Sequence, residues 1–329
     1  FALAEKNTDT VMVGYTHLNQ GQPITLGHYL LAVIDGVSRG LELLELAYQH
    51  TNLNSGGCGS CSGTTWPVDR ARMAELLGMD GVVEPTYDCE AGQDHTMTIL
   101  YALTNISILL SQAAMNFNIW AMDEIDMVRV EPAWAGVSSF MPQKCDTGSN
   151  LERTRVKAGD VMGNMVNCMI QLKGEPFADM QSMYQLPGRA LEGMSHYREC
   201  LGWFRSMVDH LLPQKERMKA IARAGYSCST ELATCLVKEH GYGGRLAHSI
   251  VATMIRQART AGLKSYECTG EMLDAAAASL NVRQPGLDTP TVTRCLDPEE
   301  FLKTHTNLGG AAPTETRRLL ALRKQRLAA

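Results

Sequence analysis

The stretch "GVSSFMPQKCDTGSNLE", residues 136–152, places two adjacent serines, a Met-Pro step and a lysine in one run of small polar residues. Ser149 is followed three residues later by Glu152, the spacing of a capping box, so a helix is predicted to begin directly after the loop. The free N–H groups and the dipole at such a terminus favour anions. Gly136, Ser138 and Ser139 can turn their amides inward, and Lys144 adds a full positive charge. These residues together suit a carboxylate guest. Taken alone, they are equally a solvated serine-rich loop.

Long helices are expected to position this loop. Between Gln93 and Glu131 there is no Gly and no Pro, and apolar residues recur at Met97, Leu100, Leu103, Ile106, Leu110, Ala113 and Phe117. A helix of about 30 residues there would be about 45 Å long. Three further helical patterns lie at 23–50, with Pro23 in the first turn, at 149–174, and within 183–212. No segment alternates as a strand does. The predicted class is all-α: a long-helix bundle over 1–213, carrying the loop 136–148, and a smaller helical domain over 214–329.

The bulk properties narrow the function classes. At 329 residues the chain suits one large domain or two ordinary ones, and 45% hydrophobic with 20% charged residues is a globular composition. A net charge of −5 argues against general nucleic-acid or membrane-surface binding. No uninterrupted apolar run approaches the ~20 residues of a spanning helix. The ten cysteines follow no disulfide-scaffold spacing, which suggests a reduced, cytoplasmic protein. Cys58 and Cys61 form a CxxC that reads as small residues in a Gly/Ser turn, with a redox pair or half a zinc site as the alternatives.

As a whole pattern, Gly-x-Ser-Ser-x-Met-Pro-x-Lys resembles the loop shared by the fumarase/aspartase superfamily of lyases. "GYTHLNQGQP" (14–23) resembles the Thr-His region of that superfamily. "SGTTWPVDR" (62–70), "LKGEPFADMQ" (172–181) and "LGGAAPTE" (308–315) resemble its argininosuccinate lyase branch. The resemblance covers nearly the whole chain in the right order. It implies a homotetramer whose active sites each draw on three subunits, and an α,β-elimination releasing fumarate from a small succinyl carboxylate, with no metal or organic cofactor. By position, Ser138 matches the base and Lys144 the lysine that holds a carboxylate and stabilises the dianion. His17 matches the histidine of the acid chemistry, and Thr16 a carboxylate ligand. Glu152 matches the acid paired with that histidine from another subunit, or is simply the capping partner of Ser149. Asn19, Gln22, Gln93, Ser139, Met141, Asn150 and Gln181 complete the expected substrate-binding set.

The sequence also departs from the family pattern. Val137 replaces a glycine before the serine pair, and Lys144-Cys145-Asp146 replaces Lys-x-Asn. Asn19 replaces Gln, Gln93 an arginine, and Tyr184 a lysine. Losing two cations implies a substrate with fewer anionic groups at that end, so argininosuccinate itself is not the expected substrate. The chain opens at Phe1, whereas family members carry a further region ahead of the Thr-His motif, so an N-terminal segment is expected to be missing or separate. Two other readings share the scaffold: a carboxymuconate-type cycloisomerase, and a catalytically silent structural relative.

Overall fold

In the computed structural model, which describes residues 1–144 and 148–328, apolar spacings of three and four produce four long helices. They are Leu26–Thr51, Asp94–Trp120, Ser149–Gly174 and Leu186–Asp209. The Asp94–Trp120 helix has 27 residues and is therefore about 40 Å long. It stops short of the expected Glu131 because the chain turns back on itself. Asp126 adopts φ 49°, the Met127 amide donates to the Trp120 carbonyl at 2.8 Å, and a short strand, Val128–Val130, follows.

The chain divides into two compact units. The bundle unit is Asp35–Leu212. Ile106, Leu110, Ala158 and Cys200 from three long helices are buried together, with Val37 and Leu44 of the Leu26–Thr51 helix packed on them. Gly40 permits this approach: a Cβ there would lie 2.2 Å from Ile106 Cγ1. By length and composition the Asp94–Trp120 helix could cross a membrane, but half of its most apolar stretch is buried, as in a core helix.

The CxxC segment of this unit is a tight turn. Gly57, Gly59, Ser60 and Gly63 all have positive φ, Cys61 is exposed, and Cys58 Sγ donates to Glu90 Oε1 at 3.1 Å. All nine cysteines among the described residues are free thiols.

The other unit joins Phe1–Ile34 to the chain from Pro213 onward. Residues 1–34 were expected with the bundle; they cluster here because Val11 and Val13 bury against Ala222 and Leu302. Their structure also corrects the strand-free expectation. Val11–Thr16 and Asn19–Thr25 form an antiparallel hairpin in which Thr16 pairs with Asn19. Pro23 is thus a strand residue and does not open a helix. The next helix begins at Leu26, where Thr25 Oγ1 accepts the His28 amide at 3.0 Å. Seven helices between Lys215 and Ala328 make up the remainder, with Leu232, Ile250, Met254, Leu273 and Val292 in their core.

Candidate active site

The serine pair lies on a loop anchored at its start by stacking and hydrogen bonds. The Trp134 ring stacks on His210 with centroids 4.0 Å apart, and His210 Nδ1 lies 2.9 Å from Glu131 Oε2. The Glu131 carbonyl accepts the amides of Trp134 and Ala135 at 2.8 and 3.0 Å. From there the chain closes a small ring. The Ser138 amide donates to the Lys144 carbonyl at 2.9 Å, and the Lys144 amide donates to the Met141 carbonyl at 3.0 Å. Inside the ring, Ser138 Oγ accepts the Phe140 amide at 3.2 Å and the Met141 amide at 2.9 Å. Two backbone dipoles therefore point at one hydroxyl oxygen, an arrangement that stabilises negative charge on it. Ser138 is half-buried, whereas Val137, Ser139 and Phe140 are exposed.

Beyond the ring, Met141 and Lys144 line a cavity of about 600 Å³ together with Gln143, Gly148 and Glu152. That volume suits a small ligand. Glu152 reaches the cavity from the first turn of the Ser149–Gly174 helix, but the capping box does not form. The helix starts one residue early, with Gly148 at the N-cap, so Ser149 is already helical and caps nothing. A side chain at 148 would collide with the buried core, since a Cβ would lie 2.9 Å from Leu151 Cδ1. Arg155, one turn beyond Glu152 on the same helix face, also lines the cavity, opposite Asp123 and Glu124. Sequence reasoning passed over Arg155; its i,i+3 spacing from Glu152 was the available signal. Neither Ser138 nor Asn150 is among the residues lining this cavity; Asn150 Oδ1 instead accepts Arg153 at 3.4 Å. Cys145 and Asp146, the two departures closest to Lys144, lie outside the described residues.

A second cavity of the bundle unit, of about 580 Å³, contains one of the expected specificity positions, Gln93, but neither Gln181 nor Tyr184. Gln93 lines it at the N-cap of the Asp94–Trp120 helix, and its buried Oε1 has no hydrogen-bond partner. Met180 and Ser182 line the same space, while Gln181 between them is exposed. Asp88, Asp94 and Glu175 supply three carboxylates, and none of the described residues lining it is cationic. Nearby, the Asp179 carboxylate pushes the Tyr184 hydroxyl above its ordinary pKa.

Thr16, His17, Asn19 and Gln22 belong to the other unit and lie on the hairpin. His17 and Leu18 are the two residues of its tight turn, with φ of 52° and 60°. A hairpin turn with positive φ at both central positions is normally built from Asn and Gly. Here it projects an exposed histidine from a rigid two-residue tip. Asn19 Nδ2 braces the turn by donating to the His17 carbonyl at 3.1 Å, and Gln22 Nε2 donates to Thr230 Oγ1 at 2.9 Å.

The "LGGAAPTE" segment folds in the same unit as a helix entry. Glu315 Oε1 accepts the Gly309 amide at 2.9 Å, and Arg318 binds both carboxylate oxygens at 2.7 Å. Those contacts, the Arg318 guanidinium foremost, hold the Glu315 carboxyl down at about 2.

Comparison with known proteins places these features in a family. Residues 2–163 match a family described as lyase, and residues 226–303 match the argininosuccinate lyase C-terminal family. The chain is 33% identical to an argininosuccinate lyase of Methanothrix thermoacetophila over 99% of its own length, and 31% identical to argininosuccinate lyase 1 of Shouchella clausii. It spans 66% of each of those relatives, about two thirds of their length. A solved EDDS lyase variant with bound fumarate superposes with a TM-score of 0.93 at 29% identity, covering 99% of this chain and 65% of that one. A 3-carboxy-cis,cis-muconate lactonizing enzyme from Pseudomonas putida shares the fold alone, with a TM-score of 0.77 at 17% identity, 100% of this chain and 69% of that one being covered. With a helical bundle, the Ser-Ser loop and the Thr-His hairpin all in place, the chain belongs to the fumarase/aspartase superfamily of lyases, in its argininosuccinate lyase-like branch.

Proposed function

We propose that the protein is a carbon–nitrogen lyase that eliminates an amine from an N-substituted succinate and releases fumarate. The observation that carries this reading is the pair of amides directed at Ser138 Oγ. Serine is a weak base by its ordinary pKa, so it can take a carbon-bound proton only where its alkoxide is stabilised. In the proposed step Ser138 removes the proton from the carbon next to one carboxylate. The electron pair moves into that carboxylate as an enolate-like dianion held by Lys144. The dianion then collapses to form the C=C bond as the C–N bond breaks, and the departing amine takes its proton from the acid arm, His17 with Glu152 of another subunit. Thr16, Asn19, Gln22, Ser139, Met141 and Asn150 are assigned to substrate binding. The fumarate held by the EDDS lyase relative is in keeping with a dicarboxylate product.

Gln93 and Gln181 are assigned to the leaving-group end. The second cavity is lined by Asp88, Asp94 and Glu175, which repel a carboxylate and attract an ammonium group. The favoured leaving group is thus a neutral or cationic amine in place of an amino acid. Assembly into a tetramer is proposed from the bundle surface, where Val156, Val166, Ile170 and Leu191 are exposed on two long helices. The free thiols suit a reducing, cytoplasmic setting.

The test is synthesis in reverse. Full-length protein is incubated with fumarate and a panel of amines running from diamines to acidic amino acids, and adduct masses are read with Ser138→Ala in parallel. A fumarate-plus-amine mass, strongest with basic amines and lost in Ser138→Ala, supports the reading. Adduct formation that survives the substitution removes Ser138 as base. No adduct with any amine removes the lyase reading.

A further inference from the structure

Cys235, Glu239 and His240 present a sulfur, a carboxylate oxygen and a ring nitrogen that all lie within 4.8 Å of one another. They stand at the end of the Ser229–Lys238 helix, with Glu239 as its C-cap residue. The cluster is electrostatically odd. A carboxylate at a helix C-terminus faces the negative end of the dipole, and no ion pair reaches Glu239 among the described residues. Its contact is instead the buried Cys235 thiol, 3.7 Å away. Cys295, the last residue of the Thr289–Cys295 helix, is a second buried thiol in the same core cluster as Cys235. Three potential ligands therefore converge at the end of one helix, with a further thiol in the adjoining core.

The His240 segment is held from behind. Arg283 donates to the His240 carbonyl at 2.6 Å, and the Arg283 guanidinium lies 4.7 Å from the centre of the Tyr242 ring. The Tyr242 hydroxyl in turn donates to the Arg283 carbonyl at 2.7 Å. Support of this kind fixes the direction in which a ligand residue presents its ring.

We propose that Cys235, Glu239 and His240 form a zinc site, with Cys295 as the fourth ligand, stapling the Ser229–Lys238 and Thr289–Cys295 helices together. Zinc accepts thiolate sulfur, imidazole nitrogen and carboxylate oxygen as ligands, and a closed four-coordinate set is its structural arrangement. Ligand–metal distances of about 2.0–2.3 Å put neighbouring ligand atoms about 3.5 Å apart, so the three atoms now within 4.8 Å of one another need only a modest contraction. Binding expels the thiol protons to solvent and turns both sulfurs into thiolate ligands. This site is separate from the proposed elimination chemistry and stands or falls independently of it.

Cobalt(II) reports on the site directly. The chelator-treated full chain, carrying Cys58→Ser and Cys61→Ser to silence the exposed CxxC turn, is titrated with cobalt and then with zinc. Expected are one metal per chain, a near-ultraviolet thiolate-to-cobalt charge-transfer band with tetrahedral visible bands, and displacement of both by zinc. Cys235→Ser should at least halve the charge-transfer intensity, and His240→Ala, near the surface, should weaken cobalt binding at least tenfold while leaving the fold intact. Cys295→Ser should halve the charge-transfer intensity; full intensity there overturns the fourth-ligand assignment. No charge-transfer band at saturating cobalt, or a band unchanged in both Cys235→Ser and His240→Ala, overturns the site.

Discussion

The Met141 amide donates to Ser138 Oγ at 2.9 Å, across a ring that the Ser138 amide closes by donating to the Lys144 carbonyl. The loop thus aims its dipoles at the serine oxygen. Removing the oxygen leaves the ring's backbone bonds intact. Ser138→Ala is expected to lower fumarate release by about 10²–10⁴-fold while its melting curve stays within about 0.5 kcal/mol of the parent. Steady-state turnover followed at the fumarate absorbance, with thermal melts alongside, checks both halves. A large loss of stability would mean that the hydroxyl holds the loop together and is not primarily chemical.

The His17–Leu18 turn stores backbone strain, since both residues have positive φ without being glycine. Leu18 is 78% exposed, so its side chain gains little from packing. Leu18→Gly is expected to stabilise the protein by up to about 1 kcal/mol, the relief of left-handed strain less glycine's added entropy. Urea midpoints measure this. A destabilised variant would contradict the turn geometry.

Gly40→Ala and Gly163→Ala should move stability in opposite directions. At Gly40 the new methyl meets Ile106, which is 1% exposed and cannot withdraw, so a loss of about 1–3 kcal/mol is expected. At Gly163, also within a long helix, the methyl meets nothing within 4 Å, and a gain of about 0.5–1 kcal/mol follows from helix propensity. Denaturant melts of the two variants, run together, distinguish close packing from helix propensity.

Glu315 links stability to acid pH. Its carboxyl titrates near 2 in the folded chain against an ordinary value of 4.5, chiefly because Arg318 and the Gly309 amide bind the charged form. A depressed carboxylate contributes stability above the unfolded value and loses it as pH falls through the folded one. The stability difference between the parent and Glu315→Gln should therefore be constant above pH 4.5 and shrink between 4.5 and about 2. A difference that does not change over that window would show that the charge contributes nothing.

Much of the bundle was legible in the residues. Met97, Leu100, Ile106, Leu110 and Phe117 repeat at helical spacing, and that periodicity survives translation into any packed arrangement. The helix over 149–174 was read with its observed limits for the same reason. The hairpin was not legible: its strands hold "VGYTHLNQGQP", with no alternation and no Asn-Gly turn, so pairing depends on Val11 and Val13 meeting Ala222 and Leu302 more than 200 residues away. The capping residue of the Ser149–Gly174 helix escaped, as did the end of the Asp94–Trp120 helix. Whether Ser149 caps or is capped turns on one residue of register, which the buried contact of Gly148 with Leu151 decides.

By itself the sequence determined residue types and their order: a Ser-Ser-x-Met-Pro-x-Lys loop, a Thr-His pair and long apolar periodicities, which together specify the family. Tertiary structure alone decided where dipoles and charges converge. Two amides meet Ser138 Oγ because the chain bends back on itself between Ser138 and Lys144, and Arg155 shares a cavity with Lys144 because a helix face turns it there. Cys295 and Cys235 come to share one core cluster only through the packing of helices. Such convergences depend on distances of a few ångströms between groups remote in the chain, and electrostatic energy varies with that distance, whereas sequence spacing does not record it.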